Sequence, residues 1–559
     1  MIKDFKFTAE DKRVRKDILP VRIVLKGKGV SGASSLLKSK DYQTTAGADV
    51  PAAVMKNGKG GKNAFIVLDF GCEFHGSLRI ITSWVNSEGN RGKVRITLGE
   101  SLTEAMSEIG NKGACNDHSP RDFVREIGMF SDNEYGLGGF RFARIELLSA
   151  DCEMRIQSVN GVFIYTDLEY MGSFCCNDEK INKIYDVAAY TVHLNIQRYV
   201  WDGIKRDRLV WIGDINPEAL AIRTVFGRCE EIEKTLDYFR KYTPDGSWMN
   251  GMPTYTLWWL ITVYDWYLCC GSKGFLNRHK SYVLKIIPWI LSFIGEDGST
   301  EKFPGNFLDW PTSELAESAD GVRGLICQAI EACGKLAEIY GRGDIAKECE
   351  AKAEAIRKVV GNSNGIKTIA AFLYNAGISD SSGDAAEILS DGGANGMSTF
   401  MSYYVLKALS NSGHISQALD ILKEYYGAML DLGATTFWED FNIEWADNAV
   451  RIDELPDDSR PNIHSDFGGY CYKGLRHSLC HGWSAGPVPF LNDFVLGIKI
   501  TEAGCRSVEI KGNLGSLEWA EGTFPTPYGI LYVRHEKDKD GKIKTEYKAP
   551  VGVKVTVKE

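Results

Sequence analysis

Three regimes of hydrophobic and polar spacing follow one another along the chain. Residues 1 to about 60 are weakly patterned: one strand is predicted at 21–25, before a stretch rich in glycine, serine and lysine. From Ala64 the apolar positions alternate or fall in short runs between glycines, at 65–70, 77–81, 93–98 and 140–146, which predicts an antiparallel β-sandwich. Near Asn177 the period becomes helical. Asn177 suits an N-cap, Asp178 and Glu179 suit the positive end of a helix, and Ile181, Ile184, Tyr185, Ala188 and Val192 follow on one face. Asn216-Pro217-Glu218 reads as cap, first-turn proline and acidic first turn of a second helix that Gly227 can close. Further helices are predicted at about 229–241, 255–271, 278–295, 322–340, 344–360, 398–410 and 414–430. After Pro489 strands return at 508–510, 530–533 and 542–547, with Asp540-Gly541 as the hairpin turn before the last. The expected organisation is an N-terminal β-sandwich region over 1–172, a helical domain over 173–490 and a C-terminal β-sandwich over 491–559. Helix pairs joined by long loops fit a helical toroid better than a bundle, whose loops are short.

Composition narrows the function classes. The 559 residues exceed what one hydrophobic core serves, in line with several domains. A net charge of −9 and a pI near 5.7 give no footprint for nucleic acid and none for an anionic membrane. Met1–Phe7 lacks the apolar run of a signal segment, and no later stretch has the length of a membrane span. The chain is therefore expected in the cytoplasm, or in the periplasm or outside the cell if a signal peptide has been removed. Its fourteen cysteines include no CxxC spacing and are expected as buried reduced thiols.

One stretch breaks the pattern, Trp201-Asp202-Gly203-Ile204-Lys205-Arg206-Asp207-Arg208-Leu209-Val210-Trp211-Ile212-Gly213-Asp214. Gly203 and Gly213 oppose a continuous helix, so the stretch is predicted to be a loop. Its carboxylates alternate with Arg206 and Arg208, which can hold them by charge-assisted hydrogen bonds, and Trp201 and Trp211 supply apolar faces. Acids beside aromatic platforms suit a sugar, whose C–H face stacks while its hydroxyls need acceptors.

The stretch resembles the catalytic loop of the alpha-L-rhamnosidases of glycoside hydrolase family seventy-eight, which runs Asp, then Arg-Asp/Glu-Arg-Leu, then Trp-x-Gly-Asp. Gly433-Ala434-Thr435-Thr436-Phe437-Trp438-Glu439 and His481-Gly482-Trp483-Ser484-Ala485-Gly486-Pro487 are similar to two further motifs of that family, in its order. The resemblance implies an (α/α)6 barrel, or six-hairpin toroid, flanked by antiparallel β-sandwiches, and an inverting exo-glycosidase that releases terminal alpha-L-rhamnose. It implies that Asp207 is the general acid, one methylene shorter than the glutamate many members carry, and that Glu439 is the base. It assigns Asp202, Arg206, Trp211, Asp214 and His481 to the sugar. Trp438 flanks the base, and Trp259, Asp309 and Trp310, near the ends of helical hairpins, are further candidate platform residues.

Asp202, Asp214 and Trp211 favour a protonated Asp207 while Arg206 and Arg208 oppose it, and the sequence leaves that balance open. The mechanism needs no cofactor or metal, and the acidic residues Asp447, Asp453, Asp457 and Asp458 lack the spacing of a calcium loop. A carbohydrate is the expected partner, with a homo-oligomer compatible. A six-hairpin glycosidase acting on another sugar and a non-catalytic carbohydrate-binding relative are the alternatives.

Overall fold

The computed structural model describes residues 11–38, 43–47, 49–60 and 62–558; the reading of Met1–Phe7 lies outside the described residues. The N-terminal region is one nine-stranded antiparallel sheet. The predicted runs at 65–70 and 77–81 belong to a single strand, Phe65–Asn86. Its first half pairs with Ser131–Leu147 and its second half also with Cys152–Thr166, with register shifts between Asp69 and Phe74. Such shifts bend a strand, so one sheet wraps a common core of Leu68, Ile80, Ile96, Ile145 and Val159. The weakly patterned start contributes Arg13–Ile18 and Arg22–Lys26 to the same sheet.

The helical region begins at Glu179–Asn195. Its N-cap is Asp178, not Asn177: the Asp178 carboxylate accepts from the Lys180 and Ile181 N–H groups. Asn177 instead accepts from the backbone N–H groups of Glu518 and Trp519, tying the helix start to the C-terminal strands. The second helix, Ile215–Phe226, starts one residue before the predicted cap Asn216, with Asp214 at the N-cap position, and closes at Gly227 as expected.

The helices alternate between two environments. Ile215–Phe226, Pro253–Cys270, Ser318–Ile339, Lys367–Ala376, Ser402–Asn411 and Pro487–Phe490 each pack on the next, and the last packs back on the first. Pro253–Cys270 is apolar almost all round, as a helix enclosed by others must be. The helices between them lie outside. Glu230–Tyr242 is one, amphipathic, with glutamates in its first turn and Arg240 and Lys241 in its last, complementing the helix dipole. Lys367–Ala376 and Ala385–Ser390 were not expected from the sequence.

The C-terminal strands form two sheets. One joins Ile498–Glu502, Ser507–Ile510 and Lys554–Val557. The other joins Trp519–Thr526, Gly529–Lys537 and Ile543–Lys548 to Ser173–Cys176, a strand from ahead of the helices. Asp540-Gly541 does sit in the connection between Lys537 and Ile543. Ten of the fourteen cysteines are buried, but Cys72 and Cys175 are exposed and Cys115 and Cys471 are partly so; all are free thiols. Among the described residues no helix is long and apolar enough to cross a membrane.

Candidate active site

The loops that lead into Ile215–Phe226, Pro253–Cys270, Ser318–Ile339 and Pro487–Phe490 gather around one cavity. The first is the predicted loop. Trp201 N–H donates to the Asn195 carbonyl as the chain leaves its helix, and Asp202 and Leu209 close the base: Asp202 N–H donates to the Leu209 carbonyl at 3.1 Å and Leu209 N–H to Asp202 Oδ1 at 3.0 Å. At the tip Asp207 and Arg208 both adopt left-handed backbone, with φ of 55° and 54°. Two consecutive non-glycine residues in that region cost about 1–3 kcal/mol each, so the neighbours must hold the tip. Arg208 reaches the Leu137 and His118 carbonyls of the β region, and Lys205 reaches Glu100 at 2.9 Å and Glu104 at 3.3 Å.

The loops enclose a cavity of about 370 Å³, at the small end of the range for small-molecule sites. Asp207 enters it with 14% of its side chain exposed. Its Oδ1 accepts from Arg206 Nη1 at 3.0 Å, its Oδ2 from the Trp211 indole N–H at 2.9 Å, and His118 Nδ1 lies 3.5 Å away. The same guanidinium bonds the Glu439 Oε1 through Nη2, and Glu439 Oε2 accepts from the Ser478 N–H at 3.1 Å. One arginine therefore ties both carboxylates together. Burial raises Glu439 above the usual carboxylate range, opposed by Arg206.

Behind them lie more acids. Asp214 accepts from the Tyr255 hydroxyl at 3.2 Å, and Asp202, Asp214 and Glu218 are all buried. Desolvation first, then repulsion from Asp207 and Asp214 at Asp202 and from Asp214 and Asp202 at Glu218, holds both well above the ordinary range; desolvation, with repulsion from Glu439 and Asp207 and against the Tyr255 hydrogen bond, does the same for Asp214. The His481 imidazole is held well below its ordinary value by burial and by Arg206, so it is neutral, with Nε2 3.7 Å from Glu439 and its ring over Trp483 at 4.0 Å.

The structure brings Asp202, Arg206, Asp207, Trp211, Asp214, Trp310, Glu439 and His481 to one cavity. Trp310 stands edge-on to Phe307 and Tyr472. Three candidates lie elsewhere. Asp309 is buried beneath Trp310, accepting from the hydroxyls of Thr312 at 2.5 Å and Ser398 at 3.0 Å, so it holds the turn instead of facing the cavity. Trp438 is buried against Phe441, behind Glu439. Trp259 is fully buried in the helix interior, its indole N–H donating to the Leu236 carbonyl, because its helix packs on all sides. Trp248 stacks on Trp289, also outside the cavity.

Several lining residues were not singled out from sequence: Met252, Tyr255, Phe307, Cys471, Tyr472 and Arg476. Trp483 stood in the quoted motif without a role. His118 comes from the β region, for which no site was expected; nothing periodic marks it, since it sits in an irregular connection with φ of 64°.

Glu100, Glu104 and His464 place possible ligand atoms within 4.8 Å of one another. The Lys205 ammonium already supplies a cation to both glutamates. The His464 nitrogens face Ser101 Oγ at 2.7 Å and the His477 carbonyl at 2.9 Å, so neither points at an open coordination position.

Comparison with known proteins bears on both helical and C-terminal regions. Residues 169–363 match the model of the bacterial alpha-L-rhamnosidase six-hairpin glycosidase domain, and residues 497–558 that of the bacterial alpha-L-rhamnosidase C-terminal domain. A curated alpha-L-rhamnosidase of Formosa agariphila is 22% identical over 254 residues, 40% of this chain and 26% of that protein. Among solved structures, the family 78 rhamnosidase of Bacillus sp. GL1 superposes with a TM-score of 0.73 at 23% identity, over 94% of this chain and 55% of the other. The Klebsiella oxytoca rhamnosidase with rhamnose bound superposes with a TM-score of 0.66 at 17% identity, over 87% and 96% respectively. The chain thus spans a quarter of the curated relative and about half of the Bacillus structure.

Proposed function

We propose that this chain, a relative of the bacterial alpha-L-rhamnosidases, is an exo-acting glycoside hydrolase that removes terminal alpha-L-rhamnose with inversion of the anomeric centre. The observation that carries the reading is the pairing of Asp207 and Glu439. Two carboxylates more than 230 residues apart in the chain meet on one guanidinium, inside a cavity small enough for a sugar. The closed succession of six inner helices supports an (α/α)6 barrel, with 173–490 as the catalytic domain between β domains at 1–172 and 491–559.

In this mechanism Asp207 protonates the leaving oxygen and Glu439 draws a proton from the attacking water. Asp202, Arg206 and Asp214 hold the sugar hydroxyls, Trp211 and Trp310 flank the ring, and His481 serves as a neutral donor beside the water. Rhamnose has an apolar methyl in place of a charged or hydroxylated arm, and Met252 and Phe307 give it an apolar wall. Inversion requires room for water between acid and base, about 6.5–9.5 Å between carboxyl groups.

Proton NMR of the first product tests the proposal: beta-L-rhamnose is expected ahead of mutarotation, and initial alpha-L-rhamnose contradicts inversion. The pH profile gives a second test. A base must be ionised, and burial raises Glu439 above 4.5, so the acid limb of kcat/KM is expected above that value. As pH falls through the raised pKa, Glu439 takes up its proton and activity is lost. An acid limb at or below 4.5 contradicts the effect of burial on Glu439.

A further inference from the structure

Arg206 bonds both carboxylates inside the cavity, but the loops that carry acid and base are far apart in sequence and need a tie between their backbones. The contacts around Glu100, at the end of strand Arg91–Gly99 in the β region, supply an answer. Its Oε2 lies 2.9 Å from the Lys205 ammonium, and Lys205 directly precedes Arg206 and Asp207 in the acid loop. The same oxygen accepts from the Leu479 N–H at 2.7 Å, and Oε1 accepts from the Ser478 hydroxyl at 3.3 Å. Ser478 is the residue that grips the base: its N–H donates to Glu439 Oε2, and its carbonyl accepts from the Glu439 N–H at 3.0 Å.

Glu100 is therefore joined to both loops by direct bonds while lying outside the cavity itself. We infer that Glu100 is a positioning residue that sets the separation of Asp207 and Glu439, so that the β region takes part in catalysis through this side chain. The inference rests on the assignment of those two residues as acid and base.

Its neighbours fit that role. Glu104 turns one oxygen to the Glu100 N–H at 2.8 Å and the other to Lys205, so the backbone of Glu100 is fixed as firmly as its carboxylate. The Lys205 ammonium also donates to the Leu475 and His477 carbonyls, on the segment that leads to Ser478. A glutamine at this position keeps one acceptor oxygen where the carboxylate offers two to Lys205, the Leu479 N–H and the Ser478 hydroxyl, so the tie to one of the loops is lost or weakened. The base loop then moves relative to the acid loop. A displacement of about 1 Å at a reacting group costs on the order of 10²-fold in rate.

The test measures kcat and KM for Glu100→Gln and Glu100→Asp on nitrophenyl and methyl alpha-L-rhamnosides, with thermal melts. Glu100→Asp keeps the charge that balances Lys205 but withdraws the oxygens by one methylene. Ile96→Val, in the core of the same sheet, is the control for loss of stability alone. The expected result is a fall in kcat of about 10²-fold for both Glu100 variants on both substrates, larger on the methyl glycoside, with KM changed far less and Ile96→Val near the parent. A folded variant whose kcat stays within about twofold of the parent overturns the inference, as does failure of both variants to fold, which makes Glu100 purely structural. A parent protein inactive on every rhamnoside overturns instead the proposed function on which the inference depends.

Discussion

Replacing Asp207 by asparagine is expected to cost about 10²–10⁴-fold in kcat on an alkyl alpha-L-rhamnoside and far less on a nitrophenyl one. An alkoxide must be protonated as it leaves, whereas nitrophenolate departs without help. Glu439→Gln removes activation of the attacking water, a step needed whatever departs, so both substrates are expected to suffer alike. Added azide, which needs no base, is expected to restore part of the Glu439→Gln rate and to give beta-rhamnosyl azide. The contrast carries the assignment, because either variant also loosens Arg206, which bonds both side chains. Leaving-group dependence in Glu439→Gln instead of Asp207→Asn reverses the two roles. Its appearance on replacing Glu218, whose buried oxygens have no hydrogen-bond partner among the described residues, by glutamine makes Glu218 the acid.

The largest expected effect on stability is at Lys205. Its ammonium is about nine-tenths buried between Glu100 and Glu104, near Glu73, Arg121 and His464. Lys205→Met leaves Glu100 buried without a cation, while Glu104 keeps Arg121 at 3.4 Å; removing one partner of a buried ion pair typically costs about 3–5 kcal/mol. Part of that cost can be escaped by taking up protons. Burial already raises Glu100 to about 7 against the pull of Lys205, and without the lysine it rises further. The Glu100 carboxyl of the variant is therefore neutral at low pH and must be charged at high pH. The gap in denaturation midpoint between parent and Lys205→Met is expected to widen from pH 5 to pH 8. A gap that is constant, or that narrows as pH rises, contradicts this electrostatic account.

These two residues mark how far the sequence could be read. The acid loop was legible because its chemistry is local: Asp202, Arg206, Asp207, Trp211 and Asp214 lie within one loop and reach one cavity. Glu439 was legible through its motif, and Trp310 through its place at a hairpin end. Trp259 misled because an aromatic in a helix buried on all sides has the same sequence pattern as one facing a cavity. Asp309 misled because a buried carboxylate that organises a turn cannot be told from one that meets a ligand until its partners are known.

What stayed hidden arises from long-range pairing. His118 meets Asp207 across about ninety residues, and Glu100 meets Ser478 across 378. Neither contact leaves any periodic signal in the chain. Strand Ser173–Cys176 was missed for the same reason, since its partner is Trp519–Thr526 in the C-terminal sheet. Asn177 shows the limit on a smaller scale. It is a good N-cap by type, but the following Asp178 takes that position and releases Asn177 to bind Glu518 and Trp519.

The central claim is that the cavity between Asp207 and Glu439 hydrolyses an alpha-L-rhamnoside. Initial rates on a panel of nitrophenyl glycosides, for the parent protein and for Glu439→Gln, test it most directly. Release from the alpha-L-rhamnoside is expected to lie well above that from the other sugars, and to be lost in the variant. Equal or greater release from another glycoside, or full activity in Glu439→Gln, contradicts it.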